Sequence, residues 1–177
     1  MIELVLKRIK GNKSVTFGRL TIPRYNFSCH TLELADGEGR VFKHNCSIDT
    51  GVYQLKPGYG QRCALFPTLR YKPIGFAKKP EIVLENGDYQ HMKTGDIALG
   101  VGIESNWAIR QTNAFADIFR DLATRMAHTG EIMALNIAKS KNYSFEDISY
   151  EETLQAIQEM NYFDDEEQAE LDDNEEQ

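Results

Sequence analysis

At 177 residues, with 41% apolar and 27% charged side chains, the sequence has the length and composition of one globular domain with its own core, and it is too short for two of ordinary size. Its formal net charge of −7 combines 20 basic with 27 acidic residues, and no run approaches the roughly 20 apolar residues of a membrane span. The opening MIELVLKRIKGNKS has an apolar stretch shorter than the core of a secretion signal and no small-residue cleavage site, so it is expected to be a strand of a cytoplasmic protein.

Ile2 to Ile9 and Ser14 to Ile22 are β-rich runs separated by Lys10, Gly11, Asn12 and Lys13, the pattern of a hairpin with a Gly-Asn turn. In the first run Ile2, Leu4 and Leu6 share one face, and Glu3, Val5 and Lys7 the other. Asn26 to Leu34 alternates through Phe27 and Cys29 and then, one step out of phase, through Leu32 and Leu34, which predicts a bulge or a strand end. Residues 36 to 40, DGEGR, read as a turn, and Thr50 to Gly58 as a short strand stopped by Pro57 and Gly58.

From Gly58 to Pro80 three further prolines and several glycines lie among aromatic and basic residues, so a long ordered loop is expected. Basic residues mixed with aromatics can track a nucleic-acid backbone. They also pack loops on cores with their cationic heads in water, and the absence of a nucleic-acid-binding motif favours that reading. Glu81 to Glu85 and Asp96 to Ile103 are apolar runs of the length of buried strands, joined by the polar loop GDYQHMKTG. A helix over about 112 to 128 follows. Ala114, Phe115, Ile118, Phe119, Leu122, Ala123 and Met126 lie on one face, with Thr112 or Asn113 as the cap and Gly130 as the stop. Glu131 to Ala138 adds a strand, and SYEETLQAIQEM has the Ser149 and Glu152 spacing of a capping box.

From Ser144 onward there is no Lys or Arg, against 14 acidic residues, so residues 1 to 143 carry 20 basic and 13 acidic side chains, a net charge of +7. The chain divides by charge into a basic β-rich domain, 1 to 143, and an acidic C-terminal helix and arm, 144 to 177. Such a run of like charge is a solvated extension, or it docks on a basic surface, its own or a partner's. Asp164, Asp165, Glu166, Glu167, Asp172 and Asp173 are its densest part and the candidate partner-binding residues.

Signals for catalysis are sparse. There is no G-x-S-x-G elbow and no phosphate-binding glycine loop. Cys29, Cys46 and Cys63 are odd in number and widely spaced, which argues against a disulfide framework; with His30 and His44 they have the ligand types for zinc but lack its close pairs, so packed thiols and no cofactor are expected. Glu85, Asp88, His91 and Asp96 share one loop and its flanking strand ends, and are the candidates for an acid/base or hard-metal site.

MIELVLKRIKGNKSVTFGRLTI, CHTLEL, IDTGVYQL and TGDIALG followed by a helix resemble a family of small phage-associated proteins of undefined function whose fold looks related to L,D-transpeptidases. The resemblance covers roughly residues 1 to 127. It implies an α+β fold: a compact β-rich body, a mixed sheet or barrel, with one long amphipathic helix packed on it, here extended by the acidic tail. The family pattern places histidine where this chain has Glu85 and cysteine where it has Asp96. A carboxylate cannot form the thioester that a thiolate and its histidine form. The expected role is therefore a non-enzymatic bacteriophage virion or assembly protein, present in the host cytoplasm and then in the virion, whose arm docks on other phage structural proteins or on copies of itself. The alternatives are a cell-wall-active transpeptidase or hydrolase with a rearranged site that uses His91, and a phage-encoded inhibitor or binding module acting on a host protein.

Overall fold

A computed structural model describes residues 1–38, 44–57, 62–67, 80–84, 87–104 and 108–145. The first two strands, β1 (Ile2–Gly11) and β2 (Val15–Ile22), form the expected hairpin. Asn12 makes the turn. Its side-chain oxygen accepts from the backbone N–H groups of Ser14 and Val15 at 2.8 and 3.0 Å, and its own N–H donates to the Val15 carbonyl. The register shifts between Arg8 and Lys10, so the irregularity of this sheet falls at Ile9.

A 3-10 turn at Pro23–Tyr25 ends on Asn26 in the left-handed conformation and leads into β3 (Phe27–Leu34). The slip predicted here is absent, since β3 pairs with β2 without interruption from Ile22↔Phe27 to Val15↔Leu34. Both faces of the strand are covered. Cys29, Thr31 and Glu33 share one side, Leu32 and Leu34 the other, and all five are buried.

β4 (Gly51–Pro57), β5 (Arg62–Pro67) and β6 (Glu81–Val83) follow. β5 corrects the expectation of a continuous loop from 58 to 80. It pairs antiparallel with β4 from Tyr53↔Pro67 to Pro57↔Cys63, and with β6 from Arg62↔Val83 to Ala64↔Glu81. Two neighbouring ladders make this strand, and neither leaves a mark in its local pattern. After β7 (Gly87–Asp88), the run expected as one strand from Asp96 to Ile103 divides at Val101 into β8 (Ile97–Gly100) and β9 (Gly102–Ile103). β10 (Ala108–Arg110), α1 (Asn113–His128) and β11 (Met133–Phe145) complete the described chain.

Eight strands close into a barrel in the order β1-β11-β4-β5-β6-β8-β3-β2. Most neighbours are antiparallel, but β1 lies parallel to β11 and β6 to β8. The class is α+β, mostly β. Ile2, Leu4 and Leu6 of β1, Leu20 and Ile22 of β2, Leu99 of β8 and Leu135 and Ile137 of β11 belong to one core cluster, into which α1 inserts Phe115, Phe119, Leu122 and Met126. Phe27 packs on Phe115 and Phe119 with ring centroids 6.2 and 5.8 Å apart. The helix starts where predicted: the Thr112 hydroxyl oxygen accepts from the Phe115 N–H at 3.1 Å, and Gly130, at φ 67, follows its end.

β7, β10 and β9 form a small second sheet that packs on β3 and β8. A side chain at Gly100 would collide with the Arg110 carbonyl and the Ile109 side chain, so this glycine sets the close approach of the two layers. Among the described residues no helix is long and apolar enough to cross a membrane.

Candidate functional site

The loop that holds the candidate acid and base runs from β6 to β8, two strands that the barrel places side by side and parallel through Ile82↔Ile97 and Val83↔Ala98. Asp96 closes it. Its carboxylate is only 6% exposed and accepts a 3.1 Å hydrogen bond from the Glu81 N–H, while its own N–H donates to the Lys93 carbonyl. Gly95, at φ 83, turns the chain into β8 and donates its N–H to the Cys46 carbonyl at 2.9 Å. The Thr94 hydroxyl oxygen accepts from the Asn45 N–H at 2.9 Å, and Asn45 itself is left-handed at φ 48. The Thr-Gly-Asp stretch therefore laces β6, β8 and the 44–48 segment together.

His91 lies elsewhere in character. It ends a 3-10 turn, Tyr89–His91, and is exposed. The structure thus separates the three described candidates: Asp96 lies inside the scaffold, His91 at the surface, and Asp88 ends β7 of the small sheet, paired with Ala108 of β10. Glu85 and the tail carboxylates Asp164, Asp165, Glu166, Glu167, Asp172 and Asp173 lie outside the described residues, as does the helix expected after Ser149. Beside the loop, Gln90 and Met92 face Lys13, Ser14, Leu34 and Asn45 across a cleft of about 270 Å³. Its described lining is a mixture of amide, hydroxyl and ammonium groups over two apolar side chains.

Neither described thiol is presented as a nucleophile. Cys29 and Cys46 are buried, and burial pushes the Cys29 thiol up to about 12, against a small opposing pull from Arg19. A neutral thiol does not attack an acyl carbonyl. His30, the next residue on β3, has its pKa lowered by burial and by Arg19. Among the described residues no group of three His, Cys, Asp or Glu side chains converges as a metal site.

A polar cluster that the sequence analysis did not single out lies within the barrel. Arg8 and Glu33 have side chains with 0% exposure, paired through Nε to Oε2 at 2.9 Å and Nη2 to Oε1 at 2.7 Å; Nη2 also donates to the Ile48 carbonyl at 2.6 Å. Burial works to lower the Arg8 pKa, but Glu33 outweighs it and the net direction is up. Gly18 stands between Arg8 and Thr31 in register, and a Cβ there would lie 2.7 Å from the Thr31 hydroxyl and 3.3 Å from the Arg8 Cα. Nearby, the Lys139 ammonium bridges Asp36 and Glu38 at 2.7 Å each and lies 4.9 Å from the centre of the Tyr143 ring. The signal was present: Arg8 continues the Ile2, Leu4, Leu6 series and Glu33 the Cys29 series.

No family model, no curated protein and no solved structure matches the chain.

Proposed function

We propose that this chain is a non-enzymatic bacteriophage virion or assembly protein, made in the host cytoplasm and then carried in the particle, whose acidic arm docks on a basic surface of a neighbouring subunit. The observation that carries the reading is the position of Asp96. The residue standing where the resembling family has its cysteine is buried and holds the start of β6 against β8. A carboxylate that fastens two strands is part of the scaffold. The charge division supports the rest of the proposal, because a dense acidic stretch following a basic body is suited to electrostatic docking that salt weakens. β11 takes in Ser144 and Phe145, so the arm begins after those residues.

Deleting residues 161–177 is expected to lower incorporation of the chain into assembled particles, measured by immunoblot of purified particles. The circular dichroism and unfolding midpoint of the barrel are expected to stay unchanged. Undiminished incorporation of a folded truncation overturns the reading.

A further inference from the structure

The outer face of the first three strands carries a row of basic side chains that lie far apart in the sequence and meet in the sheet. Lys7 of β1 stands directly opposite Arg19 of β2, and Arg19 opposite His30 of β3. Their neighbours along the strands, Arg8, Leu20 and Thr31 among them, fill the barrel, so alternation turns the row outward. Lys7 is exposed, and Arg19 and His30 are half-buried. Adjacent strands are about 4.8 Å apart, which places the three basic groups within roughly 10 Å. Like charges set opposite one another across a ladder oppose folding. His30 feels this directly, its pKa being lowered by burial and by Arg19.

The rows on either side bring no carboxylate to this face: Val5, Thr21 and Ser28 flank it on one side, Lys10, Phe17 and Leu32 on the other. Arg19 Nη2 donates to the Ser28 hydroxyl at 2.8 Å, which orients the guanidinium along the sheet. Such a row fits an extended anion, and the chain itself supplies one. From Ser144 onward it holds 14 acidic residues and no Lys or Arg, with six carboxylates at positions 164–167 and 172–173. In an assembly each copy brings one acidic segment for every row, so that segment is present at the local concentration of the row itself. Its charge also repels phosphate, which places a nucleic-acid backbone at a disadvantage for the same face.

We propose that the outer face of β1, β2 and β3, centred on Lys7 and Arg19, is the surface that receives residues 164–173 of a neighbouring copy of the chain. The inference rests on the arm-docking reading above and names its partner and its site. Row and arm are different parts of one chain, so the contact is heterologous and generates a ring or an open series rather than a closed pair. Exposed ion pairs are individually weak, so the contact depends on several at once and is released by salt.

Sedimentation velocity of two full-length variants tests it. In one, Lys7→Glu and Arg19→Glu reverse the row and leave the arm. In the other, Asp164→Asn, Asp165→Asn, Glu166→Gln, Glu167→Gln, Asp172→Asn and Asp173→Asn neutralise the arm and leave the row. The parent is expected to form concentration-dependent oligomers at low ionic strength that dissociate at about 1 M salt, where the screening length falls to roughly 3 Å. Each variant alone is expected to be monomeric, and an equimolar mixture to stop at a heterodimer, because one intact row then meets one intact arm. Circular dichroism of every variant, and the milder pair Lys7→Gln and Arg19→Gln, separate lost association from lost folding. A parent that stays monomeric at low ionic strength, a folded row variant that associates like the parent, or a mixture that stays monomeric overturns the proposal. Capture of the parent by a single-stranded oligonucleotide in place of self-association overturns the acidic segment as the occupant. The two readings fail separately. Undiminished particle incorporation after the arm deletion removes arm docking altogether, whereas a deletion that lowers incorporation while Lys7→Glu with Arg19→Glu does not removes this site alone.

Discussion

Arg8 is the largest of the fully buried side chains, and its guanidinium is taken out of water in exchange for one carboxylate and one carbonyl. Such a pair adds little net stability over well-packed apolar residues, but breaking it leaves a bare charge in the interior. Arg8→Met is therefore expected to lower the unfolding free energy by about 3–5 kcal/mol in urea titrations, and Arg8→Met with Glu33→Met to recover most of that loss. The Lys139 bridge gives a pH dependence. Burial tends to raise the Asp36 pKa, but Lys139, the Glu38 N–H and Arg8 together hold it below 3.8; Lys139 foremost, against burial and with help from the Thr50 hydroxyl, holds Glu38 below 4.5. Carboxylates with lowered pKa stabilise the fold above their ordinary values, and this contribution is lost as pH falls through their folded-state values. Lys139→Met is expected to cost up to about 1 kcal/mol at neutral pH, because the groups are partly exposed. It should also make the decline in stability below the ordinary carboxylate range shallower in urea titrations run at several pH values.

At the level of elements, what could be read in the chain was whatever local physics alone decides. The helix from 113 to 128 combines a cap, a 3.6-residue period and a terminal glycine, and all three survive in the structure. Thr112→Ala removes the capping oxygen that serves the Phe115 N–H. It is expected to lower stability by about 1 kcal/mol, measured by thermal or chemical unfolding. Elements that depend on distant partners were harder to see. β5 exists because β4 and β6 flank it, and its short CALF run gives no sign of them. The outward-facing Leu32 and Leu34 suggested a slip because alternation assumes one wet face, whereas the small β7-β10-β9 sheet packs against β3. By spacing alone Ile118 shares the apolar face of the helix. It lies at the edge of the apolar stripe, and the helix turns it toward solvent.

For the whole molecule, alternation and turn residues were enough to indicate a β-rich body with one packed helix, since both periods are strong in the sequence. Closure of the strands into a ring was not legible, because the order of neighbours is set by ladders between residues as far apart as Ile2 and Met133. The candidate site was legible in part. The loop between β6 and β8 is legible from its composition, with Asp96 as one of its candidate acids. The fastening role of Asp96 needed the neighbouring backbone of Glu81. Arg8 and Glu33 stood in apolar series that end in a charge, a pattern that gains meaning only when the two ends meet.

The parallel seam between β1 and β11 also bears on how the molecule is made. Of its two neighbours in the barrel, β1 has β2 within a few residues along the chain, but β11 is more than a hundred residues away. Until Met133–Phe145 has been synthesised, one edge of the cylinder stays open with its backbone donors and acceptors unmet. Completion is thus a late event that waits on almost the whole globular part of the chain, and a nascent or truncated product ending before that last strand carries a raw margin on which another unfinished copy can add.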